Sequence, residues 1–112
     1  MQYQNRWHRE HRRVNLKPVH DRIRQLRLGL MLHSYIYYKL GKSIISDAKW
    51  DDRARELVRL QKKFPSVAKK VRFAKLYQDF DGSTGFHLAG EVDAAMIRKA
   101  HFLLAIEKEF SK

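Results

Sequence analysis

Two carboxylates and an indole stand close together at Asp47, Trp50 and Asp51, and a tyrosine pair, Tyr37-Tyr38, precedes them. On a helix, positions i, i+3 and i+4 share one face, so the later three side chains would point the same way beside a tyrosine-bearing helix end. Such a grouping could hold a small ligand through aromatic faces and carboxylates. An aromatic face attracts a cation, and a carboxylate accepts hydrogen bonds from hydroxyls. A plainer account fits the same residues. Tyr35, Tyr37, Tyr38 and Trp50 could pack across a helical hairpin, and Asp47 and Asp51 could be first-turn carboxylates favoured by the helix dipole, worth about 0.3–1 kcal/mol each.

A second group carries charge. The 112 residues hold 24 Lys and Arg against 12 Asp and Glu, a net charge of +12, and the excess lies in the first eighty residues. Arg6, Arg9, Arg12 and Arg13 belong to an Arg- and His-rich arm, and Lys62, Lys63, Lys69, Lys70, Arg72 and Lys75 form a basic run interleaved with Phe64 and Phe73. Such a field attracts polyanions, nucleic acid first, although the run could equally be a solvated face. The chain has no cysteine, which rules out disulfides and thiolate metal sites. His8, His11, His20 and His33 have no cluster of carboxylates around them, so no metal site is expected. The acidic spacing of the glycine-rich stretch does not fit a calcium loop either.

The elements that must position these groups read as all-α. Residues 1–17 form a basic arm, and residues 18–112 a single helical domain. Pro18 suits a first helical turn, and Val19, Ile23, Leu26, Leu30 and Tyr37 recur at helical spacing, predicting a helix over 18–39 that stops at Gly41. Ser46 is a good N-cap for a second helix with a buried stripe of Trp50, Ala54, Leu57, Leu60 and Phe64, ended by Pro65. The short connection predicts an antiparallel hairpin over 18–65. Residues 66–112 add further helices and a glycine-rich loop. A lysine-rich helix is expected from Ser66 to about Tyr77 with Val67, Val71 and Leu76 inward. DFDGSTGFHLAG then reads as a loop, either a tight turn or a segment that touches a partner. From Glu91 a last amphipathic helix presents Val92, Met96, Leu103, Ile106 and Phe110, with Lys99 interrupting that stripe.

The stretch from His33 to Pro65, HSYIYYKLGKSIISDAKWDDRARELVRLQKKFP, resembles the N-terminal (Ia, nicotinamide mononucleotide-binding) domain of bacterial NAD-dependent DNA ligases. There a helix ends in Tyr-Tyr or Tyr-His, and Ile-Ser-Asp-Ala-Glu-Tyr-Asp opens a second helix that ends at His-Pro. The matching residues are Tyr37-Tyr38, then Ile45 through Asp51, then Phe64-Pro65, with no gap. The resemblance implies a domain that closes over the nicotinamide mononucleotide (NMN) half of NAD. Tyr37, Tyr38, Asp47, Trp50 and Asp51 would be its cofactor-binding residues, with Trp50 in place of a stacking tyrosine. Two departures stand out: Trp50 lacks the tyrosine hydroxyl, and Lys49 replaces an acid.

The ligase reaction needs a lysine of Lys-x-Asp-Gly to attack the α-phosphate. The only Asp-Gly, Asp81-Gly82, has Asp79 where that lysine would stand, so no catalytic residue and no enzyme activity is expected. The leading expectation is a stand-alone, non-catalytic ligase-Ia-like module that binds DNA or a replication or repair protein and requires no cofactor. The alternatives are a binder of NMN or NAD, and a split-ligase fragment working with a separate adenylation domain. No segment looks like a secretory signal or a membrane span, which suggests the cytoplasm. Size and charge would suit a phage genome, and then the host cytoplasm.

Overall fold

A computed structural model describes residues 15–110 and contains, among them, five helices and no strand. Helix α1 spans Lys17–Leu40, α2 Asp47–Lys63, α3 Pro65–Ala68, α4 Phe86–Ala89 and α5 Ala94–Phe110. The basic arm with Arg6, Arg9, Arg12 and Arg13 lies outside the described residues. None of these helices is long and apolar enough to cross a membrane.

The first two helices form where the residues ask for them. Pro18 stands in the first turn of α1, where no intrahelical N–H is lost. Gly41 ends it in the left-handed conformation at φ 66°, and the N–H groups of Gly41 and Lys42 both donate to the carbonyl of Ile36. Ser46 caps α2 by accepting from the Lys49 N–H at 3.1 Å. Tyr37 and Tyr38 meet Asp47 and Trp50 around one cavity, while Gln61, near the far end of α2, bonds Arg27 in the first half of α1. Helix α2 therefore runs back along α1.

Helix α1 is buried more widely than one apolar stripe would allow. Ile23, Leu26, Leu30 and Met31 join Ala54 and Leu57 of α2 with Val71, Tyr77, Phe80, Leu88 and Met96. Leu32 and Ile36 pack on another side against Ala100, Leu103 and Leu104 of α5. Tyr37, expected on the inward stripe, is 54% exposed, and its neighbour Ile36 takes the buried position.

Four further expectations are corrected. The helix expected over 66–77 is one turn, Pro65–Ala68, followed by irregular turns. Its continuation fails because the buried guanidinium of Arg27 takes the carbonyls of Ala68, Val71 and Arg72 at 3.0–3.1 Å, and Phe73 adopts a positive φ of 70°, which no helix accepts. The stretch expected to be loop contains α4, whose Leu88 and Ala89 are fully buried. The last helix begins at Ala94 rather than Glu91, because the Asp93 carboxylate accepts from the Met96 N–H at 2.9 Å as an N-cap does. Beyond Leu104 that helix outruns its partner, so Ile106 is exposed instead of buried.

Candidate functional site

The end of α1 and the start of α2 enclose an open cavity of about 290 Å³, near the lower bound of about 300 Å³ for small-molecule sites. All five residues singled out by type and spacing line it: Tyr37 and Tyr38 from α1, and Asp47, Trp50 and Asp51 from α2. The helical spacing in α2 aims both carboxylates and the indole at the same space. Tyr37 and Tyr38 meet edge to face with centroids 4.9 Å apart, and both remain largely exposed at the mouth. Trp50 is half-buried, its ring edge-on to Phe80 at 6.4 Å. It therefore contributes to the core and to the cavity at once.

Sequence reasoning missed the floor. His33 and Ser34 lie one turn before the tyrosines and also line the cavity. Ser34 is 2% exposed. The hydroxyl of Ser34 and Nδ1 of His33 are buried without a hydrogen-bond partner, a state that most buried polar atoms avoid. Burial, with the positive charge of Arg53 as a smaller cause, pushes the His33 imidazolium pKa down, so the ring is neutral at pH 7 and offers a donor and an acceptor.

It also missed the far wall. Ser83, Thr84 and Gly85 come from the glycine-rich stretch and reach the cavity about fifty residues after the tyrosines. The stretch is held by its own bonds: the Asp81 carboxylate accepts from the Ser83 N–H at 2.9 Å and from its hydroxyl at 2.6 Å. These bonds hold the Asp81 carboxyl below its ordinary pKa. Gly85 is seated so close that a Cβ there would stand 2.1 Å from the Ser34 hydroxyl and 2.7 Å from the Trp50 ring. The only cue in the sequence was three glycines in nine residues, which marks a turn but not the surface it touches.

Among the described residues, the lining carries the carboxylates of Asp47 and Asp51 and no lysine or arginine. The cavity thus offers negative charge, aromatic faces, several hydroxyls and a neutral imidazole. Its chemistry favours a planar cation bearing hydroxyl and amide groups and disfavours an anion inside it.

The basic residues sit elsewhere. Lys62, Lys63, Lys69, Lys70, Arg72 and Lys75 are all exposed. Among the described residues, Arg72 alone of these six is in an ion pair, with Asp93 at 3.1 Å. Lys69 and Lys75 flank a separate cavity beneath which Arg27 lies. Among the described residues no cluster of His, Asp and Glu could hold a metal ion.

Comparison with known proteins matches residues 17–70 to the family described as DNA ligase-like, N-terminal NAD+-binding domain. The DNA ligase of Pelotomaculum thermopropionicum is 40% identical over 53 residues, covering 47% of this chain and 8% of the ligase. Those of Syntrophobacter fumaroxidans and Carboxydothermus hydrogenoformans are 44% and 45% identical over 51 and 52 residues, each covering 46% of this chain and 8% of the ligase. The chain thus matches less than a tenth of the length of these relatives, and within the N-terminal domain only. No solved structure matches it. Over residues 17–70, just under half of its length, the chain is similar to the DNA ligase-like, N-terminal NAD+-binding domain family.

Proposed function

We propose that this chain binds the NMN half of NAD in the cavity between α1 and α2, and that it acts as a binding module without catalysing ligation. The observation that carries the reading is the convergence of Tyr37, Tyr38, Asp47, Trp50 and Asp51 on one cavity whose floor holds two buried, unpartnered polar atoms. The residues present fit the group. Trp50 and the tyrosines offer faces to the pyridinium, Asp47 and Asp51 offset its charge and accept from ribose hydroxyls, and the neutral His33 ring suits a carboxamide, which both donates and accepts. With no cation in the lining among the described residues, the 5′-phosphate is directed outward from the cavity. Adenylation would require a lysine nucleophile, and Asp79 stands where that lysine would be relative to Asp81-Gly82. In a split ligase the nucleophile would come from another chain.

Titration of the labelled protein with NMN, followed by NMR, is expected to give saturable shifts over residues 33–51. Asp51→Asn should weaken binding about tenfold or more, as expected for losing a charge-assisted contact worth roughly 1.5–3 kcal/mol. Nicotinic acid mononucleotide, which places a carboxylate where the amide was, should bind more weakly than the amide. Absence of shifts at millimolar NMN would sink the reading.

A second reading attaches to the basic run, because five of its six exposed cations are unpaired among the described residues. Lys62, Lys63, Lys69, Lys70, Arg72 and Lys75 would contact a nucleic-acid backbone, serving a DNA replication or repair setting. Duplex DNA should then bind at low salt, and its affinity should fall steeply between 50 and 200 mM salt, by about a factor of ten or more if several phosphates are neutralised. Reversing the charges of Lys69, Lys70 and Lys75 should abolish this binding and leave the NMN titration unchanged. DNA affinity indifferent to both salt and charge reversal would rule out this use of the run.

A further inference from the structure

The family match ends at residue 70, yet the cavity does not. Its far wall is Ser83, Thr84 and Gly85, so the segment 81–89 adds to this pocket something the matched hairpin lacks.

Three features make this wall more than a neighbour. Gly85 is buried directly against Ser34 and Trp50, with no room for a side chain, which fixes the wall's distance from the floor. Behind it, Leu88 and Ala89 are fully buried in the core and anchor the segment. In front, Thr84 accepts from the Phe86 N–H at 3.2 Å, and its hydroxyl lies 3.4 Å from that of Tyr38. That separation is long for a hydroxyl pair, whose usual distance is about 2.7–2.8 Å. Either oxygen can donate in this pair, and both residues line the cavity.

We infer that Ser83-Thr84-Gly85 is a ligand-facing wall of the pocket and that the Thr84 hydroxyl, with that of Tyr38, recognises a ribose hydroxyl of the bound nicotinamide nucleoside; this rests on the reading of the cavity as a nicotinamide site. The hydroxyls of Thr84 and Tyr38 each donate and accept, and a sugar hydroxyl, which does both, can bond to the two together. The cationic ring is drawn instead to the aromatic faces and the carboxylates, and the amide to the floor. A sugar hydroxyl is the part of the ligand that remains. The wall also makes the site self-contained, so that one chain holds the nucleoside from three sides.

Two ligands and two variants test this. NMN carries the ribose; 1-methylnicotinamide carries the same cationic ring and amide without it. Thr84→Val keeps the shape and removes the hydroxyl. It is expected to raise the Kd for NMN about five- to tenfold, as loss of one hydrogen bond does, and to leave the affinity for 1-methylnicotinamide unchanged. Gly85→Ala displaces the wall and should weaken NMN more than Thr84→Val does, with the amide signals of residues 83–85 no longer responding to the ligand. If Thr84→Val and Gly85→Ala bind NMN as the parent does while Asp51→Asn loses it, the wall inference is overturned and the pocket reading stands. If the parent protein binds neither ligand, the pocket reading has failed and the wall inference falls with it.

Discussion

Arg27→Leu is expected to lower the unfolding free energy by about 3–5 kcal/mol, because several buried acceptors lose their donors at about 1–3 kcal/mol each. That is a large part of the roughly 5–15 kcal/mol of a typical domain. Arg27 is 1% exposed, and all five N–H donors of its guanidinium are used. Nε and Nη2 donate to the Gln61 side-chain carbonyl at 3.0 and 2.7 Å, Nη2 also to Ala68, and Nη1 to the carbonyls of Val71 and Arg72. Tyr77 closes the network by donating to the Arg27 carbonyl at 2.6 Å, while the Gln61 amide donates to the Tyr77 carbonyl at 3.2 Å.

Burial pushes the Arg27 pKa below its ordinary value, yet arginine stays charged at any pH the fold meets. Leucine would fill part of the volume and leave four acceptors unpaired, which is where the cost arises. Arg27→Lys keeps the charge with fewer donors and no planar fork, so it should recover only part of the loss. Urea denaturation followed by circular dichroism measures both. A loss under 1 kcal/mol for Arg27→Leu would mean that water satisfies these carbonyls and that the guanidinium does not hold the 68–77 segment.

Trp50→Ala should act on stability and on ligand together. Truncating a fully buried tryptophan costs about 3–5 kcal/mol; Trp50 is half-buried, so a loss nearer 2–3 kcal/mol is expected. The indole backs Gly85 and meets Phe80, and its removal frees the 83–85 wall as well as one face of the cavity. NMN binding should fall by a hundredfold or become undetectable. Trp50→Tyr, which restores the residue type of the ligase pattern, should cost little stability and retain binding. The pair of variants separates the two roles of the side chain. If Trp50→Ala lowers the melting temperature while NMN affinity holds, the indole is a packing residue and the ligand lies elsewhere.

The hairpin was legible because its signals are local. Pro18, Gly41, Ser46 and Pro65 act through backbone dihedrals and orphan N–H groups within a turn of themselves, so the bounds of α1 and α2 follow from residue type. The grouping of Asp47, Trp50 and Asp51 was legible for the same reason, since three residues within five positions share a helix face whatever else the chain does. Tyr37 shows where such reasoning stops: spacing placed it inward, but α1 is packed by α2 on one side and α5 on another, and Ile36 won the buried position.

What tertiary structure alone decided involves partners far apart in the chain. A lysine-rich stretch with Val67, Val71 and Leu76 at helical spacing reads as a helix, and intrahelical bonds would have satisfied its carbonyls. Arg27, 41 to 45 residues earlier, takes three of them instead, and no local pattern announces that an arginine will be buried. The Ser83-Thr84-Gly85 wall was hidden in the same way: three glycines declare a turn, while only the close approach of Gly85 to Ser34 and Trp50 says which surface the turn meets. The sequence by itself determined the hairpin and the residues that face one another across it, because those depend on neighbours within a helical turn. The depth, floor and far wall of the cavity were decided by long-range packing.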